Sequence, residues 1–550
     1  MSFPRSVCVA LACATAFSSA AVPQPSLARD ALAQVSPARA AQARAVAPEG
    51  ALDRDFGSGG WFLAQTPDPY FDPAGIVVQR DGKILALGTS GRYGSPEPSC
   101  RLIRLLPDGA LDPAFGDNGS VRTGDPAGYT ACRSLALRAD GRIVVAGRSG
   151  KGFVVLRLRA DGSADPAFGD GGATRTEFED LGFPEAEPFD LAVQDDGRIV
   201  LAGRAVDPRE WPMRTRFAVA RYGEDGRLDP GFGDGGRVLT SFADYSRFDA
   251  EAQTLAIQAD GRIVVAGGLG GAYATAMARY LPDGRLDPSF GEAGRLASYG
   301  EGLDRGGREL TVQADGRLLM MRGLLGNEGY TTVVRHLSDG RLDPSFQRTR
   351  FPGLITALRV QADGRILAAG LSGDPNRPQG EVIRIGHDGR RDESFAMEPF
   401  RIGAWTDFFD GLALQPGGKI LVLATAYADE RRGQPAVARL RARTHCIADA
   451  FDPGRYLGFS DEGWFAAAAG RGRDGRPFGA LGRGRTNSLP FAQLRLFEAR
   501  DGEGASAQAA VFGVEPGRGW GLGRVRASAP DAAQFAILDP RLDDSACGGA

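Results

Sequence analysis

An all-β repeat fold is what this 550-residue chain predicts, and three observations carry that expectation. One phrase recurs seven times, as LDRDFG at Leu52, LDPAFG at Leu111, ADPAFG at Ala164, LDPGFG at Leu228, LDPSFG at Leu286, LDPSFQ at Leu342 and RDESFA at Arg391, with successive copies starting 49 to 64 residues apart. An Asp-Gly pair separates two apolar runs on the same schedule. Gly 78 and Pro 34, with few long helix-forming runs, fit a chain of short strands and turns. A period of this size marks architectures in which each unit cannot bury its apolar face alone and must stack on a neighbour.

The strands follow in order within each repeat. After the FG comes a short Gly-led strand such as Gly235 to Phe242, then an alternating run ending in a DG turn, TLAIQADG from Thr254 to Gly261. RIVVAG from Arg262 to Gly267 is the third and ATAMARYLPDG from Ala274 to Gly284 the fourth. Asp-Gly between β-branched runs signals a hairpin, because Gly accepts positive φ and Asp tolerates it. The turns fall at Asp81, Asp140, Asp196, Asp260, Asp315 and Asp363 with the Gly after each, and Gly417 and Gly418 replace the pair in the seventh repeat. Four antiparallel strands in each of seven repeats make a seven-bladed β-propeller; a linear solenoid and paired sandwiches are the alternatives. The strand phase within a blade, and the way the ring closes, stay open.

These residues resemble the Delta-60 repeat family of bacterial propeller-like proteins, whose unit carries the same DGRIVVAG and LDxxFG pattern. The resemblance spans about residues 51 to 443 and implies an exported bacterial β-propeller, without any activity to carry over. Two repeats depart from the pattern: Arg322 and Ala424 stand where the third run usually ends in Gly, and the seventh repeat lacks a final DG-LD phrase.

Residues 1–28 read as a signal peptide, with lipid anchoring at Cys13 as a minor alternative, and residues 29–50 as a flexible linker before the repeats at 51–444. From 445 to 550 the texture changes to short apolar runs between Gly-rich turns, which predicts a C-terminal β domain, expected to be a sandwich. Export leaves Cys100, Cys132, Cys446 and Cys547. Four cysteines allow three connectivities, of which Cys100 with Cys132 and Cys446 with Cys547 is favoured, and four free thiols are the alternative. A net charge of −3 gives no bias toward nucleic acid, and no other segment reaches 18 apolar residues, so no transmembrane segment is expected. A monomer in the envelope or outside the cell is the expected state.

Arg104, Arg157, Arg221, Arg279, Arg335, Arg384 and Arg439 hold one position in all seven repeats. In the first six an Asp follows eight residues on, at Asp112, Asp165, Asp229, Asp287, Asp343 and Asp392, so a bidentate latch between strand and connection is expected. Ring-wide repetition serves packing, whereas chemistry needs an asymmetric set. The same logic makes the phrase Phe at 56, 115, 168, 232, 290, 346 and 395 inter-blade wedges.

Meander geometry sends the DG turns and LDPxFG links to one end of the ring and the variable loops to the other. Binding residues concentrate on such loops, which makes Tyr93, Trp211, Tyr245, Phe248, Trp405, Phe408, Phe409 and Tyr427 the candidates. Three His without ligand spacing, and no nucleophile elbow, P-loop or calcium ladder, predict neither metal nor cofactor. The expected function is a non-catalytic scaffold holding a protein or glycan. The alternative is a carbohydrate-active hydrolase or lyase using Glu177, Glu179, Asp180, Glu185, Asp407 or Asp410.

Overall fold

The computed structural model describes residues 49–64, 71–91, 99–124, 130–209, 213–245, 250–269, 274–299, 304–324, 330–372, 379–397, 400–404, 406–429, 432–442, 464–471, 477–483, 493–498, 507–515 and 518–526. Among them a single three-residue 3-10 turn, Glu179–Leu181, is helical, and no helix is long and apolar enough to cross a membrane.

The repeats form a seven-bladed propeller of antiparallel sheets. Blade 3 shows the plan, with Glu185–Val193, Ile199–Asp207, Arg214–Tyr222 and Arg237–Thr240 paired in chain order. The first strand of each blade packs on the first strand of the next, which makes these seven the inner ring around the axis. They are Phe71–Val78, Thr130–Leu137, Glu185–Val193, Ala250–Ile257, Asp304–Val312, the second half of Thr349–Val360, and Thr406–Leu414. The strand phase follows: the Gly-led strand read after each FG is the outer strand of the preceding blade. In blades 5 and 6 the strand Thr349–Val360 serves both roles, pairing with Tyr330–His336 at its start and with Ile366–Ser372 at its end, and it joins them into one six-stranded sheet.

Both faces of a blade are covered, so its middle strands read as unbroken apolar runs rather than alternating ones. Ile143–Ser149 and Ala274–Tyr280 are buried along almost their whole length. The cores lie between blades: Val200, Val219 and Phe232 of blade 3 meet Leu255, Val265 and Tyr280 of blade 4. Cys100 and Cys132 form the expected disulfide, with Cα atoms 5.5 Å apart, and tie blade 1 to the inner strand of blade 2. Cys446 and Cys547 lie outside the described residues.

The ring closes through its N-terminal segment. Trp61–Leu63 pairs with Arg432–Leu440 and completes blade 7 as its outer strand. Leu52 bridges Leu440, and the Asp53 amide donates to the Arg439 carbonyl, contacts that other blades make within one repeat. The phrase missing from the end of the seventh repeat is therefore the first one in the chain.

The Gly that recurs at the end of the RIVVAG runs has a local cause. It faces the inner strand just ahead of a β-bulge, and a Cβ on Gly203, Gly267 or Gly370 would lie 2.0, 1.9 or 1.9 Å from the carbonyl oxygen of Glu187, Glu251 or Leu354. Blade 5 accommodates Arg322 at this position by a second register shift, which sets Gly307 opposite it. Gly267→Ala is expected to lower stability by about 2 kcal/mol, since backbone on a packed inner strand must move. Thermal unfolding against the parent measures this, and an unchanged midpoint would contradict it.

The C-terminal strands Trp464–Arg471, Pro477–Arg483, Gln493–Glu498, Ala507–Glu515 and Arg518–Arg526 form one five-stranded antiparallel meander. The expected sandwich would need two sheets. Here each strand pairs with its neighbour in sequence, and the described strands stay in one.

Candidate functional site

The repeated residues meet at the blade junctions on the face formed by the DG turns. Nε of Arg104, Arg157, Arg221, Arg279, Arg335, Arg384 and Arg439 donates to Asp112, Asp165, Asp229, Asp287, Asp343, Asp392 and Asp53 at 2.8–2.9 Å. Each guanidinium carbon stands 4.3–5.1 Å from the centroid of the phrase Phe. The contact to Asp is single rather than the bidentate latch expected. The other arm crosses to the next blade, where Nη1 of Arg104, Arg157, Arg221, Arg279, Arg335 and Arg439 donates to the carbonyls of Ala160, Glu224, Pro282, Ser338, His387 and Pro107. Arg384 reaches Glu49 instead, at 2.7 Å.

Each Asp also takes a second cation from the residue after the DG turn, or after Gly417–Gly418 in the seventh repeat: Lys83, Arg142, Arg198, Arg262, Arg317, Arg365 and Lys419 lie 2.8–3.4 Å away. Asp53, partner of Arg439, was not legible as such, because 386 residues separate the two. An open groove of about 500 Å³ on this face is lined by Asp196, Arg198, Glu224 and Asp229, members of the same repeated elements. It carries nothing particular to one blade.

Four candidates at the variable end, Tyr93, Trp211, Phe248 and Trp405, lie outside the described residues. Tyr245 packs on Phe242 with centroids 6.0 Å apart, sits under the Arg295 guanidinium, and donates its hydroxyl to Glu292 at 3.2 Å. Phe408 and Tyr427 form a half-buried edge-to-face pair at 5.2 Å on blade 7. Phe409 corrects the sequence reading. It is fully buried between blades 6 and 7, where it packs against Phe400, and it offers no surface to a partner. Strand alternation sends it to the face opposite Phe408.

The carboxylates are similarly dispersed. Asp180 is exposed and held by both Nη atoms of Arg237 at 2.7 Å, and that hydrogen bond keeps its carboxyl below the usual range. Asp407 accepts the amide N–H groups of Ile402 and Gly403 at 2.7 Å each, so it fastens its own loop. Burial pushes the Asp410 carboxyl up to about 7, the Thr425 hydroxyl bond opposing and the like charge of Asp72 reinforcing the rise. The described residues hold no cluster of His, Cys, Asp and Glu suited to a metal ion.

Sequence reasoning missed the axis. Every inner strand carries a β-bulge at the same place, and the residues it sets out of register are Ala74, Arg133, Phe189, Gln253, Glu309, Thr356 and Asp410. All seven are half-buried among mostly buried neighbours. Bulges re-aim side chains and recur beside functional sites. Glu309 adopts it with φ of 48°, a left-handed backbone uncommon outside Gly.

Polar contacts run from blade to blade along this ring. Ser134 and Thr254 donate to the two oxygens of Asp190, at 2.9 and 3.1 Å, and the Leu310 amide donates to Thr254. Burial pushes the Asp190 carboxyl up to about 6. Arg133 and Arg204 converge on Glu187 beside Phe189. The inner strands run from the variable face toward the DG face, so Glu187 and Glu251, ahead of their bulges, lie toward the variable end. One bulge position filled by seven different side chains is the asymmetry that packing does not require.

Four stretches, residues 79–115, 138–168, 194–232 and 258–290, match the family model described as a domain of unknown function (DUF5122) beta-propeller. The chain is a β-propeller repeat protein. Each matched stretch runs through or from the turn after an inner strand to the phrase Phe, the segment that builds the clamp. Among solved structures, the chain is similar to a streptogramin B lyase at 12% identity, covering 70% of this chain and 98% of that one with a TM-score of 0.39. It is also similar to a virginiamycin B lyase from Staphylococcus aureus (11%, 69% and 98%, 0.42) and to the polysaccharide lyase Uly1 (12%, 70% and 92%, 0.39). No curated protein matches the sequence.

Proposed function

We propose that this protein is an exported binding scaffold that takes its partner or glycan at the variable face, where the axial ring opens. The observation that supports this reading is the bulge ring. At the seven bulge positions no residue type recurs, while the Arg, Asp and Phe of the opposite face recur almost without change. Repetition maintains packing, and its loss on a rigid frame is the mark of a surface shaped for a ligand. Residues 1–28 as a signal peptide, and the Cys100–Cys132 disulfide, agree with an oxidising compartment.

Binding to a glycan array and to envelope extracts tests this, with a variant in which Trp211, Phe408 and Tyr427 are changed to Ala. Phe409 is left intact, because its removal would open the core. A folded variant is expected to bind about tenfold more weakly, as loss of aromatic anchors costs on that scale. Undiminished binding would overturn the assignment to this face.

A further inference from the structure

Resting on that reading, we propose that Arg133 and Arg204 form an anion subsite at the variable end of the axial ring, which holds a carboxylate or sulfate group of an acidic saccharide. Glu187, 6% exposed, accepts Nε and Nη2 of Arg133 on Oε1 at 3.2 and 2.6 Å, and Nη2 of Arg204 on Oε2 at 3.0 Å. Nη1 of Arg204 reaches Glu251 at 2.9 Å, and Glu251 in turn takes the amide of Gln253 at 3.0 Å. A guanidinium carries five N–H groups, and each of these uses only part of its set. The two side chains remain 33% and 36% exposed, so donors are left for an outside acceptor.

The buried carboxylate fixes both forks before any ligand arrives, which removes most of the ordering cost that long side chains otherwise incur on binding. Phe189 lies 5.9 and 5.5 Å from the two guanidinium carbons and supplies an apolar wall beside the charges. Arg133 and Glu187 stand on the inner strands of blades 2 and 3 and Arg204 on the second strand of blade 3, so the two forks sit side by side across one blade junction, a spacing that suits the repeated acidic groups of a saccharide chain.

Packing does not call for this cluster. The positions equivalent to Arg133 hold Ala74, Phe189, Gln253, Glu309, Thr356 and Asp410. Those equivalent to Arg204, opposite the second residue ahead of the bulged one, hold Thr89, Arg148, Gly268, Arg322, Leu371 and Thr425, and Arg322 of blade 5 is buried, with Glu309 rather than a second arginine at its blade's bulge. The ring closes through blades 5, 6, 7 and 1 without any such pair. Around Asp410 the neighbour is the like-charged Asp72 and neither equivalent position holds an arginine; at blades 2 to 4 two guanidinium groups face two carboxylates, so an anion is held there by the N–H groups left over rather than by net charge.

Calorimetric titration of the full-length protein with carboxymethyl-dextran, dextran sulfate and neutral dextran of matched length tests the proposal. The charged polymers are expected to bind at least about tenfold more tightly than neutral dextran, and Arg133→Gln or Arg204→Gln to remove about tenfold of that affinity. Arg204→Lys keeps the charge but not the planar fork, and is expected to fall between; it also supplies the readout should a Gln variant misfold. Arg237→Gln, at a rim arginine held by Asp180, is expected to leave binding unchanged. Equal binding of neutral and charged dextrans, retention of affinity in the Arg133 and Arg204 variants, or an equal loss in Arg237→Gln would each overturn the anion subsite. If array or extract ligands still bind in that event, and the Trp211, Phe408 and Tyr427 substitutions weaken that binding, the scaffold reading stands and only the ligand class falls. If nothing binds in any format, both fall.

Discussion

Asp53→Ala is expected to destabilise the propeller by about 3 kcal/mol or more, a larger effect than any substitution on the variable face. Asp53 is 1% exposed and accepts Nε of Arg439 at 2.8 Å and Nζ of Lys419 at 3.0 Å. Its removal strands a guanidinium that is itself buried against Phe56, and uncompensated buried charge is among the costliest single changes. The position adds a topological cost. Segment 49–63 supplies to blade 7 its clamp carboxylate, its Phe and its outer strand, so Asp53 fastens the two ends of the ring. Deleting residues 49–63 removes all three and is expected to abolish cooperative unfolding. Urea unfolding followed by circular dichroism measures both changes, and a deletion that unfolds like the parent would refute closure by this strand.

Stability is expected to depend on pH in two opposed windows. Burial alone would raise the clamp carboxyls Asp53, Asp112, Asp165, Asp287, Asp343 and Asp392, but amide, hydroxyl and cation partners hold all six below the usual range, and Asp392 at about 2. A depressed folded value contributes stability that is fully present above the unfolded value near 3.8 and is lost as pH falls through the folded one, so the clamps weaken between about pH 4 and pH 2. For Asp392 alone the loss is about 2 kcal/mol. Asp190 and Asp410 act the other way. Burial raises them to about 6 and about 7, so the folded chain binds more protons than the unfolded one above pH 4, and their contribution falls as pH rises to those values. The unfolding midpoint is expected to peak near pH 4, to drop below pH 3.5, and to decline again toward pH 7, where Asp190 and Asp410 carry a loss at least as large as that of Asp392 on the acid side. Asp410→Asn is expected to flatten part of that decline. A midpoint that holds constant from pH 7 to pH 2.5 would show that the clamp carboxylates do not support the ring.

Fold was legible because its determinants are local and repeated. The DG turns, the RIVVAG runs and the LDPxFG phrase each act within a few residues, and seven copies average out exceptions such as Arg322. The division into a constant and a variable face was legible for the same reason, since it follows from strand alternation in a meander. The candidate site was much less so. Phe408 and Phe409 are equivalent as aromatic residues in sequence, and register alone places one at the surface and the other in the core between blades 6 and 7. The bulge ring left no trace in composition, because a one-residue slip in pairing depends on how two strands meet.

By itself the sequence determined the number of blades, the turns that separate their strands, and the Arg, Asp and Phe that recur in each. Tertiary structure alone decided which cysteine Cys100 pairs with, that LDRDFG at the start of the chain completes the last blade, that each clamp Asp serves two cations, and that Arg133, Glu187 and Arg204 meet where blades 2 and 3 join. The physical reason is distance along the chain: hairpins are encoded by adjacent residues, whereas a closed ring brings Asp53 to Arg439 and one inner strand to the next only once every blade has packed.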